Sequence, residues 1–205
     1  MEPKEHIKKI IEQTFNVIAE VYETNKEGEI PSRSNRILFP RKRNILFPKK
    51  RDGVIRVSEQ ELRFVFVEQL LKHIEKEKWD VYYSVETPTH HGYTGFGEGN
   101  PEVDDEKGQS GNIDLCIHDN QGERICLIEF KALNPIKADY QKDFCKLQHE
   151  DEDNKNILRY FIQIVENVDN GTKTNIQKKI YVDGRCYDNV VHKCYCLSMN
   201  KPIIE

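Results

Sequence analysis

Residues 112–132 read Asn112-Ile-Asp-Leu-Cys-Ile-His118, then Asp119-Asn-Gln-Gly-Glu123, then Arg124-Ile-Cys-Leu-Ile-Glu-Phe-Lys-Ala132. Two runs rich in Ile and Leu flank a polar turn with one Gly, the pattern of a β-hairpin. With Gln121-Gly122 at the tip, Asn120 faces Glu123 and Asp114 faces Glu129. Cross-strand partners carry Cβ atoms roughly 4.5–5.5 Å apart. Lys131, two residues past Glu129, shares its face of the sheet, as do Ile125 and Leu127. Two carboxylates side by side among apolar residues need a cation between them. Lys131 is one such cation. A divalent ion is another, because Mg²⁺ prefers carboxylate oxygens. The plainer alternative is a structural Glu–Lys pair on an exposed face, but exposed faces carry polar residues at every second position and this one does not.

The flanking sequence supplies helices and further strands. Ser58–Lys78 predicts a helix: Ser58 is a natural N-cap, Glu61 stands at capping-box spacing, and Leu62, Val65, Phe66, Leu70 and Ile74 form its core face. Phe64, Val67 and Leu71 widen the apolar surface, so the helix is expected to be covered on most sides, with Arg63 pairing to Glu59. Trp79–Thr87 is β-branched and aromatic, a strand closed by Pro88. Residues 88–111 hold six glycines, His90-His91 and the acidic run 102–106, and read as a long irregular loop, functional or disordered. Neighbouring histidines in such a loop are usually solvated, and the acids are a lesser metal candidate. Ile136–His149 has the helical stripe Ile136, Tyr140, Phe144 and Leu147, with Lys142 and Lys146 on another face. There the two lysines are ordinary exposed residues, or they touch a phosphate or the carboxylates. Ile157–Val165 is a buried-type strand, 172–180 a weak helix or loop, and Val190–Met199 a last strand. His192, Cys194 and Cys196 alternate onto one face of it with Cys186 nearby; lacking a Cys-x-x-Cys knuckle, they read as buried free thiols before they read as zinc ligands.

Asp114, followed by Glu129-Phe130-Lys131 at the end of the next strand, resembles the PD-(D/E)XK nuclease superfamily. The order helix, three strands, helix, strand over roughly 58–166 matches that superfamily's core, and Ile113 stands where its motif has Pro. The resemblance implies a restriction-endonuclease-like α/β fold: an αβββαβ core with a central mixed sheet flanked by helices. It implies Mg²⁺ (or Mn²⁺) held by Asp114, Glu129 and the Phe130 carbonyl, with Lys131 assisting the attacking water. Members often add a Glu from the preceding helix; Glu61 is the first choice, ahead of Glu68 and Glu59, although Glu61 is equally explained as a capping-box residue. The implied activity is phosphodiester hydrolysis by an endodeoxyribonuclease. The alternatives are an RNA-directed nuclease and a catalytically silent nucleic-acid-binding or assembly module of the same fold.

The first 57 residues lie outside the resemblance and read as an appendage, leaving 58–205 as the nuclease-like domain. Residues 3–24 form an amphipathic helix whose apolar stripe (Ile7, Ile11, Phe15, Ile18) must dock on the core or on a second copy of the chain, so a homodimer is open. Arg36-Ile-Leu-Phe-Pro-Arg-Lys-Arg43 is nearly repeated as Asn44-Ile-Leu-Phe-Pro-Lys-Lys-Arg51. Residues 31–57 carry nine Lys or Arg against one acid; outside them, 22 basic residues face 34 acidic ones. Such a patch attracts phosphates, and Arg41, Lys42, Arg43, Lys49, Lys50 and Arg51 are the expected nucleic-acid contacts, DNA before RNA. A solvated basic linker is the alternative, and Phe39 and Phe47 are expected to seek burial. No apolar run reaches the ~18 residues of a membrane span, and the first residues lack a signal-peptide core. The expectation is a soluble, cytoplasmic protein.

Overall fold

The computed structural model describes residues 1–26, 45–95, 101–150, 156–181 and 187–204. They form four helices, α1 (Pro3–Lys26), α2 (Glu59–Glu77), α3 (Lys137–His149) and α4 (Thr172–Ile180), and seven strands. The strands are β1 (Tyr82–Thr94), β2 (Glu102–Val103), β3 (Gln109–His118), β4 (Arg124–Ala132), β5 (Leu158–Val165), β6 (Val191–Cys196) and β7 (Lys201–Ile204). The fold is mixed α/β, one sheet in the order β2-β1-β3-β4-β5-β6-β7. β1, β3 and β4 are antiparallel neighbours, β4, β5 and β6 run parallel, and β7 returns antiparallel. The two parallel steps are crossed by α3 and α4, as parallel pairing requires a long connection.

Each face of the sheet has its own core. On one, α1 and α2 pack over Leu115, Ile117, Ile128, Phe130, Ile162 and Ile164. On the other, α3 and α4 pack over Cys116, Leu127, Phe161, Val165 and Cys194. The apolar stripe of α1 therefore docks on its own chain: Ile7, Ile10 and Ile18 are fully buried, and Phe15 stacks on Tyr195 at 4.9 Å. The second Ile-Leu-Phe-Pro unit joins this core through Phe47, which meets Tyr22 edge-on. A bridge from Lys49 to Ile55 then closes a tight turn in which Gly53 takes φ +82°, leaving Lys49, Lys50 and Arg51 exposed. The first unit, with Phe39 and Arg41–Arg43, lies outside the described residues. Among the described residues no helix is long and apolar enough to cross a membrane.

Several local expectations are corrected. Residues 88–94 continue β1, and Pro88 pairs with Asn112 across a bulge ending at Gly92. Proline is tolerated here because, among the described residues, β2 pairs with β1 only at Tyr93 and Thr94, so Pro88 lies on a stretch of β1 with a strand neighbour on one side. The glycines serve close approach here: a Cβ on Gly92 would stand 2.7 Å from the Asp104 carbonyl oxygen, and one on Gly108 would strike the Tyr93 amide. The hairpin turn is wider than two residues. The Asp119 carboxylate accepts the N–H groups of Gln121 and Glu123, Gly122 takes φ +85°, and the register slips by one so that His118 faces Arg124. Beyond the slip, Leu115–Ile128 and Cys116–Leu127 pair as the hairpin reading requires.

Among the described residues α2 is covered less than its composition suggests: α1 and the sheet pack on its core face, while Phe64 and Leu71 are exposed. Arg63 reaches Glu86 on β1 instead of Glu59. The last strand divides at a turn where Asn200 takes φ +50°, giving β6 and β7.

Candidate active site

The charged residues of the β3–β4 hairpin gather where β4 ends, between the N-terminus of α2 and the middle of α3. Glu129 projects toward α3 and is 2 % exposed. Its Oε1 lies 2.5 Å from Lys146 Nζ, which also donates to the Asn112 carbonyl at 2.7 Å. Lys131, on the same face, places its Nζ 2.6 Å from Asp143 Oδ2 and 3.6 Å from Glu59 Oε1. Asp143 Oδ1 is 3.2 Å from Lys146, so it bridges both lysines. Asp114 accepts the Phe130 N–H at 2.8 Å, and Arg63 stands 3.8 Å from its other oxygen. The Phe130 ring turns to the opposite face and packs on Phe66.

Four carboxylates thus share two ammonium groups, with Arg63 at the margin. Burial raises the Glu129 pKa well above the carboxylate range; Lys146 opposes this, while Asp143 and Asp114 add to it. Burial likewise raises Asp114, against the Phe130 N–H and with Asp143. Glu59 is raised by burial and by Asp114 and Asp143, with Lys131 and the Ala132 N–H pulling the other way. For Lys131 burial acts downward, but Asp143, Glu59 and Glu129 outweigh it, and its proton is held more firmly than on a free lysine. The same balance, with Glu129 and Asp143 as the anions, raises Lys146.

The expected site residues are thus sorted by position. Asp114, Glu129 and Lys131 are brought into one electrostatic cluster. Glu61 makes no ion pair with the cluster's lysines among the described contacts: its carboxylate accepts the Ser58 hydroxyl, a side-chain version of the capping box, and it lines the cavity beside Glu59. Glu68 pairs with Lys72 on the exposed side of α2. The helix carboxylate that meets Lys131 is Glu59. Lys49, Lys50 and Arg51 sit on their exposed turn, and Arg41, Lys42 and Arg43 are outside the described residues. His91 pairs with Asp105, and the His90 main-chain N–H donates to Glu150. His192 bonds Gln163 and is pushed down to about 3 by burial; Cys194 and Cys196 are fully buried thiols. Cys186 is outside the described residues.

Sequence reasoning missed Asp143 and placed Lys146 only loosely. A signal existed for both. Tyr140, Asp143, Phe144 and Leu147 share one helical stripe, and a carboxylate on an apolar stripe has to be met by a charge.

Among the described residues no three His, Cys, Asp or Glu side chains converge closely enough to hold a metal by themselves. The donors present are all oxygens, and three of the carboxylates, Asp114, Glu129 and Glu59, have pKa values raised by burial and crowding. That donor set suits Mg²⁺, which binds through one or two carboxylates and completes its shell with water and phosphate. Compared with known protein families, with curated proteins and with solved structures, the chain matches none.

Proposed function

We propose that this protein is a Mg²⁺-dependent nuclease of the PD-(D/E)XK type, an endodeoxyribonuclease, built on a restriction-endonuclease-like core. The observation that carries the reading is the joining of Asp114, Glu129 and Lys131 at the end of the hairpin, with Glu59 and Asp143 closing on Lys131. The order α2, β1, β3, β4, α3, β5, with β4 parallel to β5, supports it. The exposed cations at 49–51 supply phosphate affinity.

Asp114, Glu129 and the Phe130 carbonyl are the groups that would hold the ion. Its chemistry, when bound, is to acidify water and to offset charge on phosphoryl oxygens. Lys131 keeps its proton, so its role is to orient a water and to lend positive charge to a developing oxyanion; a lysine with a raised pKa is a poor base. Asp143 and Glu59 fix the direction of that ammonium. Lys146 neutralises Glu129 until a stronger cation competes for it.

The test is incubation of the protein with plasmid, linear and single-stranded DNA in Mg²⁺, Mn²⁺ or EDTA, beside Asp114→Ala and Lys131→Ala. Metal-dependent cleavage lost in both variants, with DNA binding retained by Lys131→Ala, is expected. A second reading, a silent nucleic-acid-binding module, draws on the ion pair that already engages Glu129. It predicts salt-sensitive binding, no cleavage, and no thermal stabilisation by Mg²⁺.

A further inference from the structure

A cavity of about 550 Å³ adjoins the charged cluster, walled by Arg56, Glu59, Phe64, Ala132 and Leu133 among others. It meets the candidate site at Glu59, which lines the cavity and whose carboxylate stands 3.6 Å from the Lys131 ammonium. Two of its walls are unusual. Phe64 is an aromatic ring on the open face of α2, 59 % exposed, where a polar residue would cost nothing. Leu133 is a leucine in the left-handed region, φ +64°, with an exposed side chain. That conformation is unfavourable by roughly 1–2 kcal/mol for a residue with a Cβ, and Gly or Asn adopts it more readily. The backbone is held there from inside the sheet: the Leu133 N–H donates to the Ile164 carbonyl at 2.7 Å, and Gln163 Nε2 donates to the Leu133 carbonyl at 2.5 Å. Strain that the surrounding structure maintains is a mark of functional sites.

The geometry points to a subsite for an unpaired nucleobase: the base stacks on Phe64 with Leu133 against its edge, Arg56 takes an adjacent phosphate, and the substrate is single-stranded DNA or an unpaired segment within a duplex. This rests on the nuclease reading of the neighbouring cluster. A phosphodiester held at Asp114 and Lys131 brings its neighbouring nucleotide to this cavity. Within a duplex both faces of a base are covered, so a lone exposed ring is useful only to a base that has left the stack. Stacking on an aromatic side chain accepts any base, so the subsite selects strandedness and not sequence.

The experiment measures fluorescence anisotropy of a labelled single-stranded oligonucleotide and of its duplex in EDTA, with the full chain, Phe64→Ala and Leu133→Gly. Wild-type protein is expected to bind the single strand more tightly than the duplex. Phe64→Ala is expected to weaken single-strand binding about 5- to 150-fold, the equivalent of ~1–3 kcal/mol per stacked base, with less than about a twofold change for the duplex. Leu133→Gly relieves the backbone strain, so its thermal midpoint stays at or above wild type while single-strand affinity falls. Single-strand binding unchanged in Phe64→Ala, equal losses on both substrates, or a dimer that Phe64→Ala dissolves without affecting DNA would overturn the inference. Cleavage in Mg²⁺ with Asp114→Ala as control is scored separately. If wild type cuts and Phe64→Ala binds single strands normally, the subsite fails alone; if wild type binds single strands through Phe64 but never cuts, the nuclease reading fails and the subsite stands.

Discussion

Lys146→Met tests the energetic core of the site most directly. Lys146 is 3 % exposed and its ammonium is shared by Glu129 at 2.5 Å, the Asn112 carbonyl at 2.7 Å and Asp143 at 3.2 Å. Met fills nearly the same volume, so packing loss is small. What is lost is the counter-charge of a carboxylate that water hardly reaches. Breaking a buried pair from one side costs about 3–5 kcal/mol. For a chain of this size each kcal/mol moves the midpoint by roughly 2–4 °C, so thermal unfolding should fall by roughly 6–20 °C.

The double variant Glu129→Gln/Lys146→Met removes both charges and should recover much of that loss. Burial already holds the Glu129 pKa well above the carboxylate range, and losing the Lys146 ammonium raises it further. Glu129 then relieves itself by taking a proton, so the defect of Lys146→Met should shrink as pH falls through that raised value, above the ordinary carboxylate range. Mg²⁺ should also restore stability in the single variant, since the freed carboxylate gains a ligand's role. Urea unfolding at several pH values, with and without Mg²⁺, reads all of these. A loss below about 1 kcal/mol that is insensitive to pH would refute the reasoning, because it would mean that Glu129 is hydrated and needs no partner.

Other outcomes follow from the remaining buried charges and the basic turn. His6 Nδ1 lies 2.7 Å from His73 Nε2, and His6 stacks on Trp79 at 4.3 Å. Burial lowers both histidine pKa values; the N-terminus and Lys9 lower His6 further, His6 and Lys76 act likewise on His73, and Glu77 opposes at both. A depressed imidazole stabilises the fold above its ordinary pKa and loses that contribution as pH falls through the lowered value. The fluorescence of Trp79, the sole tryptophan, should therefore change on acidification before global unfolding, and His6→Phe should abolish the change. Glu150 is fully buried against Arg124 at 2.6 Å and the His90 N–H at 2.6 Å. Glu150→Ala should cost about 3–5 kcal/mol in urea unfolding and speed amide exchange over residues 90–94. Neutralising the exposed Lys49, Lys50 and Arg51 should leave the thermal midpoint in place and reduce the salt slope of duplex binding by up to about 3.

The gathering of Glu129 and Lys131 on one face is legible in the sequence because it is local. The step of two from Glu129 to Lys131 places both on one face whatever surrounds them, and the strands' apolar pattern holds the register of Leu115 with Ile128. The helices were legible for the same reason: Leu62, Val65, Phe66 and Leu70, or Tyr140, Phe144 and Leu147, repeat within two turns of chain. Composition misled where a residue's use is decided at long range. Gly92 and Gly108 counted toward a loop, yet each is small because another backbone passes against it.

The choice of Glu59 over Glu61 and the recruitment of Asp143 and Lys146 belong to the tertiary structure. Glu59 and Glu61 are two residues apart on α2, about 200° around the helix, and only the packing of α2 on the sheet decides which one faces Lys131. Lys146 and Glu129 are seventeen residues apart, joined by α3 folding back over β4. Periodicity reports which face of an element is apolar. Which charge meets which depends on the relative placement of elements, and that is determined by the whole core at once.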